Sequence, residues 1–540
     1  MTNFRRYISF LLLVVTSSFV GCIENDLPYP VVELEIKALS AEGLIGEPLI
    51  DASTSTVTLT LEEQTDIENV SITAVEYSEN TTPSVDVVGT HDLRAPLHVT
   101  LSLYQDYEWV IQAEQTIERY FTVEGQIGAT EWDVASRTAT AYVGIDDRSN
   151  VKVTSLKLAA ADIATYTWAD GIDPNNFNTV RYVYVTCHDR TERWSLYVKK
   201  TDVVVNITQA DGWGKVMWLY GNGLSGTDLG FRYRKVGDTD WIEVEGVEVD
   251  GGSFKAKVGG LTPHTEYEVI AYSGENDSAS QVVKTEGVLP LENGDFEKWE
   301  TIKKVVCPYY TEDDAFWGTG NPGAAMVSAT VTDKSEDVRP GTSGKYSARL
   351  GSIFASMAGI GKFAAGNLFV GKYVATVGTN GIVGFGRPFT ARPTAVKVWV
   401  KYNCGAIDKI GSLPAGSTLK VGDNDTGSIL VALGTWTAEE YGVDATGQVQ
   451  GTDQYPVIVD TRDKATFFDS TSDGVVAYGE LKLSQSVNEW QEFTIDLDYR
   501  TTSVVPTHIM IVCSSSFLGD YFTGSTQSVM LLDDMELVYE

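Results

Sequence analysis

The chain has 540 residues, 74 acidic against 40 basic, for a net charge of −34 and a pI near 4.5. A field of that sign repels phosphate backbones and anionic lipid, which excludes nucleic acid as a partner and leaves neutral ligands and cations open. With 43% hydrophobic and 21% charged residues the chain can bury several cores, and its five histidines argue against a His-rich zinc site.

At the start, Arg5 and Arg6 precede an apolar run from Ile8 to Val15, and small residues lead to Gly21-Cys22. Charge, a short apolar core and a small-residue exit read as a signal peptide over 1–21, and the run is too short to span a bilayer. Phe19-Val20-Gly21-Cys22 resembles the lipidation box of bacterial lipoproteins, with Phe19 where leucine is usual. That implies lipid on the Cys22 thiol. The tether 22–30 carries Ile23-Glu24-Asn25-Asp26, similar to the export signal of surface-displayed Bacteroidetes lipoproteins. The expected location is the outer membrane at the cell surface, with membrane contact through the lipid alone. Cys187, Cys307, Cys404 and Cys513 form no C-x-x-C pair and are expected to be buried thiols, a Cys404–Cys513 pairing being the alternative.

Beyond the tether, short alternating runs such as Val57-Thr58-Leu59-Thr60-Leu61 and Val183-Tyr184-Val185-Thr186-Cys187 are cut by Gly, Asn and Asp. This is the pattern of an all-β chain, a string of β-sandwiches. An internal echo divides the first part. Trp109-Val110-Ile111-Gln112-Ala113 and Glu118-Arg119-Tyr120 match Val183-Tyr184-Val185-Thr186-Cys187 and Glu192-Arg193-Trp194 at one common spacing, and Thr56-Val57-Thr58-Leu59 answers Thr138-Ala139-Thr140-Ala141. Two Ig-like modules are expected, 31–126 and 127–200, acting as spacers. Residues 201–289 contain Gly260-Leu261-Thr262-Pro263-His264-Thr265-Glu266-Tyr267, which resembles the corner and strand of fibronectin type III domains. The resemblance implies Leu261 and Tyr267 as core anchors.

From residue 290 to 540 glycine becomes frequent. Leu291-Glu292-Asn293-Gly294-Asp295-Phe296-Glu297 opens this part, and Leu531-Leu532-Asp533-Asp534-Met535-Glu536-Leu537 closes it. Jelly-roll carbohydrate-binding modules commonly begin and end with such strands, side by side. The resemblance implies that Glu297 could meet Asp533 and Asp534 around a structural Ca²⁺, an ion that takes six to eight oxygen ligands. Between these ends, Phe316-Trp317-Gly318-Thr319-Gly320-Asn321, Gly341-Thr342-Ser343-Gly344-Lys345-Tyr346, Ala364-Ala365-Gly366-Asn367-Leu368-Phe369, Gly386-Arg387-Pro388-Phe389 and Cys513-Ser514-Ser515-Ser516-Phe517 resemble the putative carbohydrate metabolism domain (PCMD) of Bacteroidetes lipoproteins. The resemblance implies a jelly-roll β-sandwich handling glycans.

A pyranose needs an aromatic platform and fixed polar groups. Trp317 with Asn321 in a Gly-rich stretch, Arg387, and Trp436 and Tyr455 in the long segment 428–480 are the candidate ligand residues. No G-x-S-x-G elbow surrounds Ser514–Ser516, so a serine nucleophile is not expected. Three functions are carried forward: glycan binding, glycoside hydrolysis by an acid pair that the sequence does not single out, and docking of an outer-membrane protein partner. Asp520 beside Tyr521 and the pair Asp313-Asp314 are the acids to examine first.

Overall fold

The computed structural model describes residues 34–540 except 53, 170–172, 358–359 and 415–416. The signal segment, the tether and Cys22 lie outside the described residues. The chain is all-β, and its buried apolar side chains fall into successive clusters along the sequence, because period-2 strands can hide one face only by packing sheet on sheet.

The first cluster, Leu34 to Ile111, is centred on Trp109, whose indole N–H donates to the Leu34 carbonyl at 2.9 Å. The second runs from Phe121 to Val198 around Trp194. These two modules share an unusual pairing. Thr56–Leu61 runs parallel to Asp106–Gln115, and Thr138–Val143 runs parallel to Arg190–Lys200. Thr56 stands opposite Val110 and Thr138 opposite Ser195, so the structural counterpart of Trp109 is Trp194. The echo is therefore displaced from the sequence alignment, which had matched Trp109 to Val183. Hairpin composition alone had set that register. The third cluster, Val205 to Val283, buries Leu261 and Tyr267, and the Thr262 N–H donates to the Tyr267 hydroxyl at 3.0 Å.

The C-terminal domain packs a nine-stranded sheet on a five-stranded one. Leu368, Val370, Val431, Ile509 and Ile511 of the first face Val396, Val398, Val400 and Leu532 of the second. The closing strand Val529–Val538 lies between Ser347–Gly351 and Ala395–Asn403. The opening segment is a turn rather than a neighbouring strand, and it touches the closing strand through Met535 N–H donating to the Gly294 carbonyl at 2.8 Å.

The modules do not extend as free spacers. Trp213 of the third module packs on Tyr499 with ring centroids 4.3 Å apart. Arg392, its side chain 5% exposed, reaches back to Glu286 at 2.7 Å. At the far end Lys464 of the C-terminal domain comes within 3.8 Å of Glu35 in the first module. An arrangement that holds the C-terminal domain away from the first module is thus corrected: the chain folds back on itself.

Candidate functional site

Trp317 is not a platform. The strand Trp317–Thr319 pairs with Asn367–Val377, placing Trp317 opposite Val370, and its side chain is fully buried between Phe296 and Phe316. Its indole N–H donates to the Glu292 carbonyl at 2.8 Å. The adjacent glycine answers a packing need, since a Cβ on Gly318 would meet the Phe369 ring at 2.6 Å. Asn321 is also buried. Its amide donates to the carbonyls of Val306 and Thr332 and accepts from the N–H groups of Val331 and Thr332, which leaves nothing for a ligand.

Arg387 likewise spends its guanidinium on the carbonyls of Ala315, Gly371 and Gln454, and burial lowers its pKa. Trp436 is 2% exposed in a second apolar cluster, against Phe468. Tyr455 is half-buried across Gly384, whose Cβ would lie 2.3 Å from the ring. These five residues are structural parts, and the chosen platform is not assembled.

The proposed calcium ligands do not form a cation site either. Glu297 accepts the N–H groups of Lys345 and Tyr346 through one oxygen, Oε1. The Asp533-Asp534 pair sits on a bulge, where Asp534 adopts φ 41° and the register against Ala395–Asn403 shifts. Asp533 accepts N–H groups from Arg339 and Asp534, and Asp534 is ion-paired with the Arg339 guanidinium. Acceptors already facing N–H donors and an arginine do not fit a divalent ion, and among the described residues no group of three His, Cys, Asp or Glu could hold one. Burial pushes the Asp533 carboxyl up to about 6.

Ser515 and Ser516 are fully buried. Ser516 donates to Asp425 at 2.5 Å, and the same Asp425 oxygen accepts from Ser528 Oγ and the Ser525 N–H. Burial raises the Asp425 pKa against those three hydrogen bonds, and among the described residues no histidine contacts either serine. His508 instead contacts Thr507 and the Asp453 carbonyl.

The one broad face with chemistry to offer is the outer side of the nine-stranded sheet. Alternation sends Ile429, Val431 and Leu433 inward and Leu430 and Ala432 outward, and likewise Ile511 inward and Met510 and Val512 outward. The segment 435–474 roofs part of this face with Trp436, Tyr441, Phe467 and Phe468. At one end of this face the register aligns Lys482, Ser428, Ser514 and Asn367 in one row, and Glu480, Leu430, Val512 and Phe369 in the next; Ser428 and Phe369 are buried, and Lys482 is exposed at the edge.

Around this open strip Lys482, its side chain 48% exposed, pairs with Glu480 at 3.0 Å and lies 4.1 Å from the centroid of the Phe517 ring. Phe517 is 43% exposed. On the roof side Phe467 stands edge-on to Tyr521 at 5.2 Å. Asp520, beside Tyr521, is open to solvent yet surrounded by protein, which pushes its carboxyl up to about 6. Of these residues the sequence singles out Asp520 beside Tyr521 as a site candidate, and holds Phe517 only within a family motif. Glu480 and Lys482 were findable, because strand Val475–Leu483 alternates them with Ala477, Leu481 and Leu483.

A crystal structure described as a putative glycoside hydrolase from Bacteroides thetaiotaomicron shares 14% identity over 95% of this chain and 98% of its own, with a TM-score of 0.31. One of the same description from Bacteroides vulgatus shares 21% identity over 46% of this chain and 97% of its own, at a TM-score of 0.32. The tandem CBM22 domains of Paenibacillus barcinonensis Xyn10C share 8% over 69% of this chain and 93% of theirs, at 0.18. At these TM-scores none of the three assigns an activity. No curated protein matches the chain. Residues 295–538, most of the C-terminal domain, match the family model PCMD, described as "Putative carbohydrate metabolism domain".

Proposed function

We propose that this chain is a lipid-anchored surface protein whose C-terminal domain binds a glycan on the open strip of its nine-stranded sheet. The observation that carries the reading is the grouping of a half-exposed aromatic, Phe517, with a Glu480–Lys482 pair on an otherwise roofed sheet face. Lys482 covers one side of the ring. The exposed remainder suits the C–H face of a pyranose, while Glu480 and Lys482 supply an acceptor and a donor for its hydroxyls. The family description, carbohydrate metabolism, supports the same class of ligand. Lipidation at Cys22 rests on the sequence box alone.

The test is a glycan-array screen of the mature chain beside Phe517→Ala and Glu480→Gln. Binding that both substitutions weaken at least tenfold, and that a chelator leaves unchanged, is the expected result. Absence of binding to every glycan overturns the reading and turns attention to a protein partner on the same face.

A hydrolytic reading draws on Asp520 alone, since a carboxyl near 6 is suited to general-acid work. Product release from the same glycans, abolished by Asp520→Asn, would establish it.

A further inference from the structure

Between the first and second modules lies a cleft of about 320 Å³, at the small end of the range for ligand pockets and sized for a single sugar ring. Its charged lining is mostly self-satisfied. Glu63 is paired with Lys157 at 2.8 Å, Arg137 with Glu192 at 2.6 Å, and Arg190 with Asp66 and Glu68, both at 2.7 Å.

Arg119 is the exception. Its Nε donates to the Leu158 carbonyl at 3.0 Å and its Nη1 to the Ile117 carbonyl at 3.2 Å, and the guanidinium lies 5.6 Å from the centroid of Trp194. Two carbonyls and a tryptophan ring fix the fork in place, but neither neutralises it. Among the described residues no carboxylate lies within ion-pair distance of Arg119, and its Nη2 has no hydrogen-bond partner. Burial lowers its pKa, and the more distant Glu192 and Glu63 only partly offset this.

His188, at a left-handed turn position with φ 48°, lines the same cleft, and its imidazole has no hydrogen-bond partner among the described residues. A pre-oriented guanidinium edge and an unengaged imidazole in one small cleft are donors awaiting an acceptor with negative charge.

We propose that this cleft binds a small carboxylate of hexuronic-acid size, its carboxyl group taken by Arg119 Nη2 with His188 beside it. The site is separate from the sheet face of the C-terminal domain and does not depend on glycan binding there.

Isothermal titration of the mature chain with D-glucuronate tests it, with D-glucose as the neutral control. Saturable binding of glucuronate without binding of glucose is expected. Raising NaCl from about 0.05 to 0.5 M should weaken it severalfold, because the pair is only partly buried. Arg119→Gln should lower affinity at least tenfold, and His188→Ala, on a half-buried turn, severalfold with a melting temperature changed little. Phe517→Ala should leave glucuronate binding intact, which separates this cleft from the sheet-face site. No saturable heat with glucuronate, equal binding of glucose, or full affinity in both cleft variants would overturn the assignment.

Discussion

Asp533 shows how a residue can look like a ligand and serve the fold. It is 1% exposed and its carboxyl is pushed up to about 6, from an unfolded value of about 4. The folded state therefore holds the Asp533 proton more tightly than the unfolded state does. The stability this contributes is fully present below about pH 4 and is lost as pH rises through about 6, a change on the order of 2–3 kcal/mol. Asp533→Asn should flatten that fall in a urea-unfolding series from pH 4 to 7, even if the amide costs stability throughout. An unaltered slope would remove Asp533 from the account. Trp317 belongs to the same class. Trp317→Ala should cost about 3–5 kcal/mol by opening a cavity beside Phe296 and Phe316, seen as a lowered melting temperature of the C-terminal domain. Phe517→Ala, at the surface, should leave that temperature within about 1 °C, since exposed substitutions rarely exceed 0.5 kcal/mol.

At the scale of elements, strands were legible because alternation is a local property. Leu59 and Ile511 announce their buried faces within five residues of sequence. What covers a sheet is not local. The segment 428–480 reads as a source of exposed aromatics, whereas Trp436 and Tyr441 pack with Ala432 and Val475 and make a second core. The Gly-rich stretch around Trp317 was read as a loop approached by ligand. Its glycines accommodate protein instead: Gly318 the Phe369 ring, Gly323 the Tyr373 hydroxyl. Glycine marks close approach in either case, and the sequence does not say by what. The candidate strip was half legible: Glu480 and Lys482 follow from alternation, but Phe517 acquires its role only because the strand His508–Ser514 ends in the same row as Lys482, one strand away across Ser428.

For the whole molecule, the contact between first and last modules is the feature composition could not foresee. Lys464 faces Glu35 and lies 5.9 Å from the Tyr521 ring, whose phenol is raised by burial and by Asp51, Asp520 and Glu35. With both side chains about a quarter exposed, such a pair is worth about 0.2–1 kcal/mol and is weakened by salt. Lys464→Glu would set a third negative charge against Glu35 and Asp51. The radius of gyration from small-angle scattering should then rise, and the wild-type chain should move toward the same value in high salt. Equal radii for the two proteins would deny the contact a part in the closed shape.

That closed shape turns the tether into a leash. Glu35 is thirteen residues beyond Cys22, and a chain of that length spans at most about 45 Å even when fully extended. With a lipid on Cys22, the Lys464 side of the C-terminal domain would be confined to a shell of that depth above the bilayer. Such a protein would meet long polymers at the membrane, where a ligand is handed on, rather than reach outward to collect them.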